Sequence, residues 1–330
     1  MSDSAKKSLI DCHVHLAALP DGDNGCYISR TTLRSPLFRF LLWKHGLSPE
    51  KPREANQKYL ADLLRELRAS RHVGKAVLLA MDGVYDHNGR LNQAHTDFLI
   101  GNDYVLHTAQ AHPDELLAGV SINPQRRDAI DELHRCADAG AVLVKVLPNA
   151  KQFDPANPRY KDYDRALAER KLPFLSHVGY EFSLIGKNQS AGDPDRLRPA
   201  LDEGVTVIAA HACSYGVLPY KKFLPTRRDL VQRYPRFYAA ISALTLPNRM
   251  RMLLRLRTYP EVHKRFLFGT DYPLSVFHAV AWGRVALGTL RNIIKTTNHF
   301  DRQVEVCRGL TLGFRSIGDF LTPASASPRG

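Results

Sequence analysis

The 330-residue chain has no apolar run approaching the roughly 18 to 20 residues that a membrane helix requires, so no transmembrane segment is expected. Its opening, M-S-D-S-A-K-K-S-L-I-D, lacks the apolar core of a secretory signal, which makes a cytoplasmic protein the expectation. Cysteine is sparse: Cys12, Cys26, Cys136, Cys213 and Cys307 are odd in number, scattered and without a C-x-x-C pair. That excludes a disulfide framework and a thiolate zinc site and leaves reduced thiols. No G-x-G-x-x-G follows an early strand-like run, and no G-x-S-x-G nucleophile elbow occurs. Acid is the scarcer charge, 33 Asp and Glu against 46 Lys and Arg, a net +13. An excess of that size can serve nucleic acid, an anionic membrane or an acidic substrate, so its location decides its meaning.

What is present is a regular alternation. Short β-rich apolar runs lie at 9–15, 75–80, 116–122, 141–147, 173–178, 205–211, 237–242 and 266–271. From the third onward their starts are 25, 32, 32, 32 and 29 residues apart, the length of a strand plus a crossover helix. The stretches 54–70, 127–139 and 159–171 are helix-like. In the second of these Ile130, Leu133 and Ala137 share a face, and Gly140 stands as a C-terminal stop. Eight such units without a change of composition predict an α/β fold, a distorted (β/α)₈ TIM barrel spanning 1–322 as one domain, with a disordered tail at 323–330. The first connection, 16–53, breaks the rhythm. Its apolar, basic piece Leu37 to Gly46, with Phe40 and Trp43, reads as a lid over the active face, against the alternative of an extra helix packed outside.

Histidine is placed with purpose. Of 14 in the chain, His13 and His15, His177, and His211 fall at the C-terminal ends of predicted strands, which converge on one face of a barrel. Strand alternation sends His13 and His15 to one side, with Cys12 and Val14 to the other. Asp271 ends the eighth run in F-L-F-G-T-D-Y-P, and Lys145 interrupts A-V-L-V-K-V-L; both are buried charges that need a partner. Nitrogen and oxygen donors of this kind suit Zn²⁺ first, with Mn²⁺, Fe²⁺, Co²⁺ and Ni²⁺ as further candidates. Glu181, Cys213 and Ser214 lie close by; the first reads as a solvent-facing loop residue and the others as pocket lining. Asn149 and Lys151 follow the fourth run in a turn-forming segment, and His278 follows the eighth.

The D-C-H-V-H start, the fourth-run lysine, the fifth- and sixth-run histidines and G-T-D-Y-P together resemble the amidohydrolase superfamily, in its amidohydrolase-related branch of hydrolases and decarboxylases. The resemblance covers about residues 9 to 322. It implies one or two divalent metals on the C-terminal face: His13, His15 and Asp271 on the more buried ion, His177 and His211 on a second, and a carboxylated Lys145 bridging the two. In the decarboxylase-type pattern His13, His15, His177 and Asp271 hold a single ion, and His211 is a catalytic acid/base.

Lys145 tilts the reading to the two-metal form. The leading expectation is thus a metal-dependent hydrolase that cleaves an amide, lactone or ester bond of a small, anionic substrate with metal-activated water, Asp271 moving the proton. Nonoxidative decarboxylation of an unsaturated or aromatic acid is the alternative. Nucleic acid is not an expected partner, because no aromatic-interleaved basic motif, zinc finger or RNA-binding signature is present. Instead the excess concentrates between Pro219 and Pro260, where ten basic residues face one acid, a net +9. That stretch reads as a solvated face, an anionic contact surface or the subunit interface of a homo-oligomer.

Overall fold

A computed structural model describes residues 8–16, 18–181, 184, 188–216 and 221–321. Each of the eight apolar runs forms a strand: β1 (Leu9–His15), β3 (Val73–Leu79), β5 (Leu116–Val120), β6 (Ala141–Val146), β7 (Phe174–Ser176), β8 (Val207–Ala209), β9 (Phe237–Ala240) and β10 (Phe266–Leu267). They are parallel neighbours in that order, so the (β/α)₈ barrel expected from the spacing is what forms. The ring closes just past β10: Cys12 N donates to the Phe268 carbonyl at 3.1 Å, Asp271 N to that of His13 at 2.9 Å, and His15 N to that of Tyr272 at 2.9 Å. The expected tail at 323–330 lies outside the described residues.

Two apolar layers hold the ring. Inside, Cys12, Val77, Leu79, Leu143, Leu175 and Ile208 fill the barrel, and Ile317 joins them from the helical turn Ile317–Asp319. Outside, strand residues such as Val14 and Val144 meet Leu63 and Leu67 of the helix Pro52–Ala69 and Leu133 of the helix Ala129–Asp138. The latter helix stops where Gly140 adopts φ +94°, a conformation costly for any residue with a Cβ. Its inward face is Ala129, Leu133 and Cys136, whereas Ile130, assigned to that face from spacing, is exposed.

The alternation expected for β1 fails at one position. Asp11 pairs with Ala76 and Val14 with Leu78, three steps against two, which marks a bulge. Val14 does face the helices, but Cys12 turns into the barrel interior.

The first connection carries the helix Pro36–Lys44, capped by the Ser35 hydroxyl, which accepts from Phe38 N. A separate small core of Leu19, Ile28, Leu42 and Ala55 seats it. Lys44 Nζ donates to the Pro273 carbonyl and Ser275 Oγ, tying the helix to the loop after β10. Trp43 and Phe40 are 76% and 51% exposed. A two-stranded antiparallel ribbon, β2 (Tyr27–Ile28) with β4 (Phe98–Leu99), had no signal in the periodicity because each strand is two residues long.

Candidate metal centre and active site

Asp11 organises the entrance to the site. Its buried carboxylate accepts from His13 N at 2.9 Å and from Thr270 N and Oγ1 at 3.1 and 2.6 Å, joining the bulge of β1 to the loop that carries Asp271. Asp271 itself sits at φ +68°, a left-handed conformation that an aspartate holds only where its surroundings enforce it. The result is a tight triangle: His13 Nε2 to His15 Nε2 3.2 Å, His13 Nε2 to Asp271 Oδ1 3.2 Å, and His15 Nε2 to Asp271 Oδ1 3.1 Å.

Those separations test the site for a metal. Donors about 2.1 Å from one ion stand roughly 3.0 Å apart at octahedral angles and 3.4 Å at tetrahedral ones. All three edges fall within that interval. Among the described residues this is the one group of three or more His, Cys, Asp or Glu donors close enough to share a cation. Two imidazoles and one carboxylate suit a divalent first-row metal.

Around the triangle stand the other residues singled out from the sequence. Lys145, fully buried on β6, places Nζ 3.2 Å from His13 Nε2. Burial pulls its amine down to about 8. His211 follows β8 at the head of three consecutive left-handed residues, His211 to Cys213. Its Nδ1 lies 3.1 Å from the Ser242 carbonyl, its Nε2 3.3 Å from His177 Nδ1, and its ring stacks on His13 at 5.5 Å between centroids. Between His211 and Asp271 the nearest approach is 3.9 Å, so His177 and His211 form a pair beside the triangle rather than part of it.

Burial is the first cause that keeps these rings neutral, as ligands and bases must be. His177 is lowered to about 4; His13 and His211 lie well below the usual imidazole range, with the charges of Lys145 and Arg249 respectively as second causes. For Asp271 burial acts upward, yet the imidazoles of His13, His15 and His211 hold the carboxyl well below its ordinary value.

The hydrogen bonds assign tautomers. A neutral His211 that donates from Nδ1 to the Ser242 carbonyl keeps a lone pair at Nε2. Ser242 Oγ lies 3.0 Å from His13 Nδ1, leaving Nε2 of that ring to face Asp271 and His15. Ser242 went unremarked in the sequence, although it ends the seventh apolar run just as the histidines end theirs.

Other assignments change. Glu181, read as a solvent-facing loop residue, is buried, with Oε2 3.5 Å from His177 Nε2. Asn149 and Lys151 are buried too, and they tie loops together: Asn149 Nδ2 donates to the Gly179 carbonyl and Lys151 Nζ to that of Phe98. His278 lies against the Trp282 ring in a tilted pair, centroids 5.8 Å apart, and makes no contact with the cluster among the described residues. Of the ten cations between Pro219 and Pro260, Arg227 and Arg249 are buried, not on the surface. Arg227 packs against Phe266; Arg249 belongs to the site's surroundings and was hidden in the sequence by its basic neighbours.

A TIM barrel whose strand ends gather two histidines and an aspartate defines a class of metal-site α/β proteins. Within that class the chain belongs to the amidohydrolase family, whose model matches residues 10–283. No curated protein matches it. Solved structures that share the fold include the following three. An uncharacterised TIM-barrel protein from Bordetella bronchiseptica is 16% identical, with TM-score 0.59 over 92% of this chain and 96% of that one. A 2,6-dihydroxybenzoate decarboxylase complexed with 2,6-dihydroxybenzoate is 16% identical, with TM-score 0.52 over 93% and 100%. A 5-carboxyvanillate decarboxylase from Novosphingobium aromaticivorans, complexed with manganese and 4-hydroxy-3-methoxy-5-nitrobenzoic acid, is 14% identical, with TM-score 0.53 over 94% and 97%.

Proposed function

We propose that the protein is a single-metal nonoxidative decarboxylase of an unsaturated or aromatic carboxylic acid. The observation that carries this reading is the position of Lys145. Its bare amine already stands 3.2 Å from His13 Nε2, the spacing of neighbouring ligands. Carboxylation would add about 2.2 Å between Nζ and the carbamate oxygens, by ordinary bond lengths, and drive them into the triangle. A lysine so close favours one ion over a carbamate-bridged pair. The two decarboxylases among the similar folds point the same way.

His13, His15 and Asp271 would hold the ion, which when bound supplies fixed positive charge to orient and polarise an acidic substrate. Zn²⁺ and Mn²⁺ both suit these donors. His211 is the proton carrier: Ser242 fixes its Nδ1–H, its Nε2 lone pair takes a proton from water or a substrate hydroxyl, and the buried imidazolium then gives it up readily to the carbon that loses carbon dioxide. Net, one carboxylate and one proton become carbon dioxide and a new C–H bond.

Hydrolysis at a two-metal site is the second reading, favoured by one observation: His177 and His211 stand as a pair of imidazoles beside the triangle, and His177 Nε2 has no hydrogen-bond partner. Metal analysis separates the two. Protein purified without chelator and reconstituted with bicarbonate should carry about one ion per chain, Lys145→Ala should leave that number unchanged, and carbon dioxide should be released from aromatic or unsaturated acids. Two ions falling to one in Lys145→Ala would establish the two-metal site instead.

A further inference from the structure

Arg249 is a buried arginine in the site's surroundings whose side chain touches no partner among the described residues. It lies at the end of the loop that begins with Ser242, the residue touching both His13 and His211, and opens the helix Met250–Leu256. Only 6% of it is exposed. Its Nε is buried without an acceptor, and among the described residues its guanidinium makes no ion pair and no side-chain hydrogen bond. Yet its charge acts on Asp271, Glu181, Lys145, His177 and His211, which puts it within electrostatic reach of the whole cluster. Arg227, the other buried arginine, differs: its guanidinium faces the Ala212 carbonyl and the Phe266 ring.

A buried cation with five donors and no acceptor is costly to the fold unless an anion arrives to take them. A guanidinium fork fits a carboxylate or another planar oxyanion. Which anion follows from the reaction, and here the inference rests on the decarboxylase reading. A carboxylate that departs as neutral carbon dioxide loses its ion pair on the way to the transition state, so a guanidinium holding it would stabilise the ground state more and slow the step. Arg249 is useful only if it holds an anionic group that stays.

We propose that Arg249 anchors a second, retained anionic group of the substrate, so that the site takes dianions, such as aromatic or unsaturated dicarboxylates, in preference to monoanions.

The test is calorimetric binding of matched pairs to the metal-loaded full-length protein: benzoate against isophthalate and terephthalate, and crotonate against fumarate. The expected result is that a dianion binds more tightly than its partner monoanion. Arg249→Gln should weaken that dianion at least about 30-fold and the monoanion less than about threefold, and Arg249→Lys should restore part of the difference. If no dianion in either series outbinds its monoanion in the unmutated protein, the proposal fails, whatever the variants do. It fails equally if Arg249→Gln, with an unchanged melting temperature, weakens both members of a pair alike. Carbon dioxide release is measured separately: dianion preference without it overturns the decarboxylase reading and leaves Arg249 as the anion anchor, whereas release with no dianion preference does the reverse.

Discussion

Ser242 shows how much of a site can rest on a residue that performs no chemistry. Its carbonyl and hydroxyl meet His211 Nδ1 and its hydroxyl meets His13 Nδ1, so one residue orients both a candidate ligand and the candidate proton carrier. Such supporting bonds are worth about 10- to 100-fold in metal affinity. Ser242→Ala keeps the carbonyl and removes only the hydroxyl, so its effect should fall on His13: metal affinity, measured by competition with a chelating dye, should drop about tenfold while the fold's melting profile without metal is little changed. At this scale the sequence was legible where chemistry and position coincide. His13, His15 and Asp271 stood at strand ends and are polar, so they could be found. Ser242 stood at a strand end too, but serine is common there. The burial of Glu181 and Arg249 gave no signal, because burial of a loop residue depends on what packs over it, and neighbouring arginines disguised Arg249 as part of a surface patch.

At the scale of elements, periodicity located all eight barrel strands, since a strand buried on both faces must be apolar along its length. Their ends were overextended. His177, His211 and Asp271 lie just past the ends of β7, β8 and β10, although His177 N still bonds the Val146 carbonyl and Asp271 N that of His13. The bulge in β1 had no local signal: Asp11, where it begins, accepts from Thr270 N, a contact across 259 residues. The helix Lys161–Glu169 carries a comparable surprise. Asp164 sits on its buried face, and burial raises its carboxyl to about 7, with the Glu203 charge as a second cause. A carboxyl of that kind binds its proton more tightly folded than unfolded. It therefore costs stability progressively from about pH 4 to about pH 7, by up to roughly 1.4 kcal/mol per pH unit, and the cost is fully present above that range. Asp164→Asn removes the ionisation. The difference in melting temperature between variant and parent should accordingly shift in the variant's favour between pH 4 and pH 8; a constant difference would show that Asp164 does not titrate in this way.

For the whole molecule, charge and metal act on different regions. Lys221, Lys222, Arg228, Arg233, Arg236 and Arg251 do reach the surface, consistent with a solvated or contact face, and no helix among the described residues is long and apolar enough to cross a membrane. The candidate metal ligands lie instead at the buried strand ends of the barrel, and an ion that binds only the folded chain would stabilise it by mass action. With free metal at 100 times its dissociation constant the gain is about 2.7 kcal/mol, so chelation should lower the melting temperature by several degrees. His13→Ala should melt at one temperature with or without chelator.

The hydrogen bonds that close the barrel give that metal site a second meaning. His13 and His15 come from the first strand and Asp271 from the residues just past the last, and the same short stretch supplies the backbone contacts between them. The donors therefore assemble only where the first and last barrel strands meet. During synthesis the first two ligands emerge early and must wait for the last strand before a third can join them. A chain stalled or cut before Phe266 would have seven barrel strands, an open seam and no Asp271 to complete the candidate site, so metal retention would report that the ring is complete.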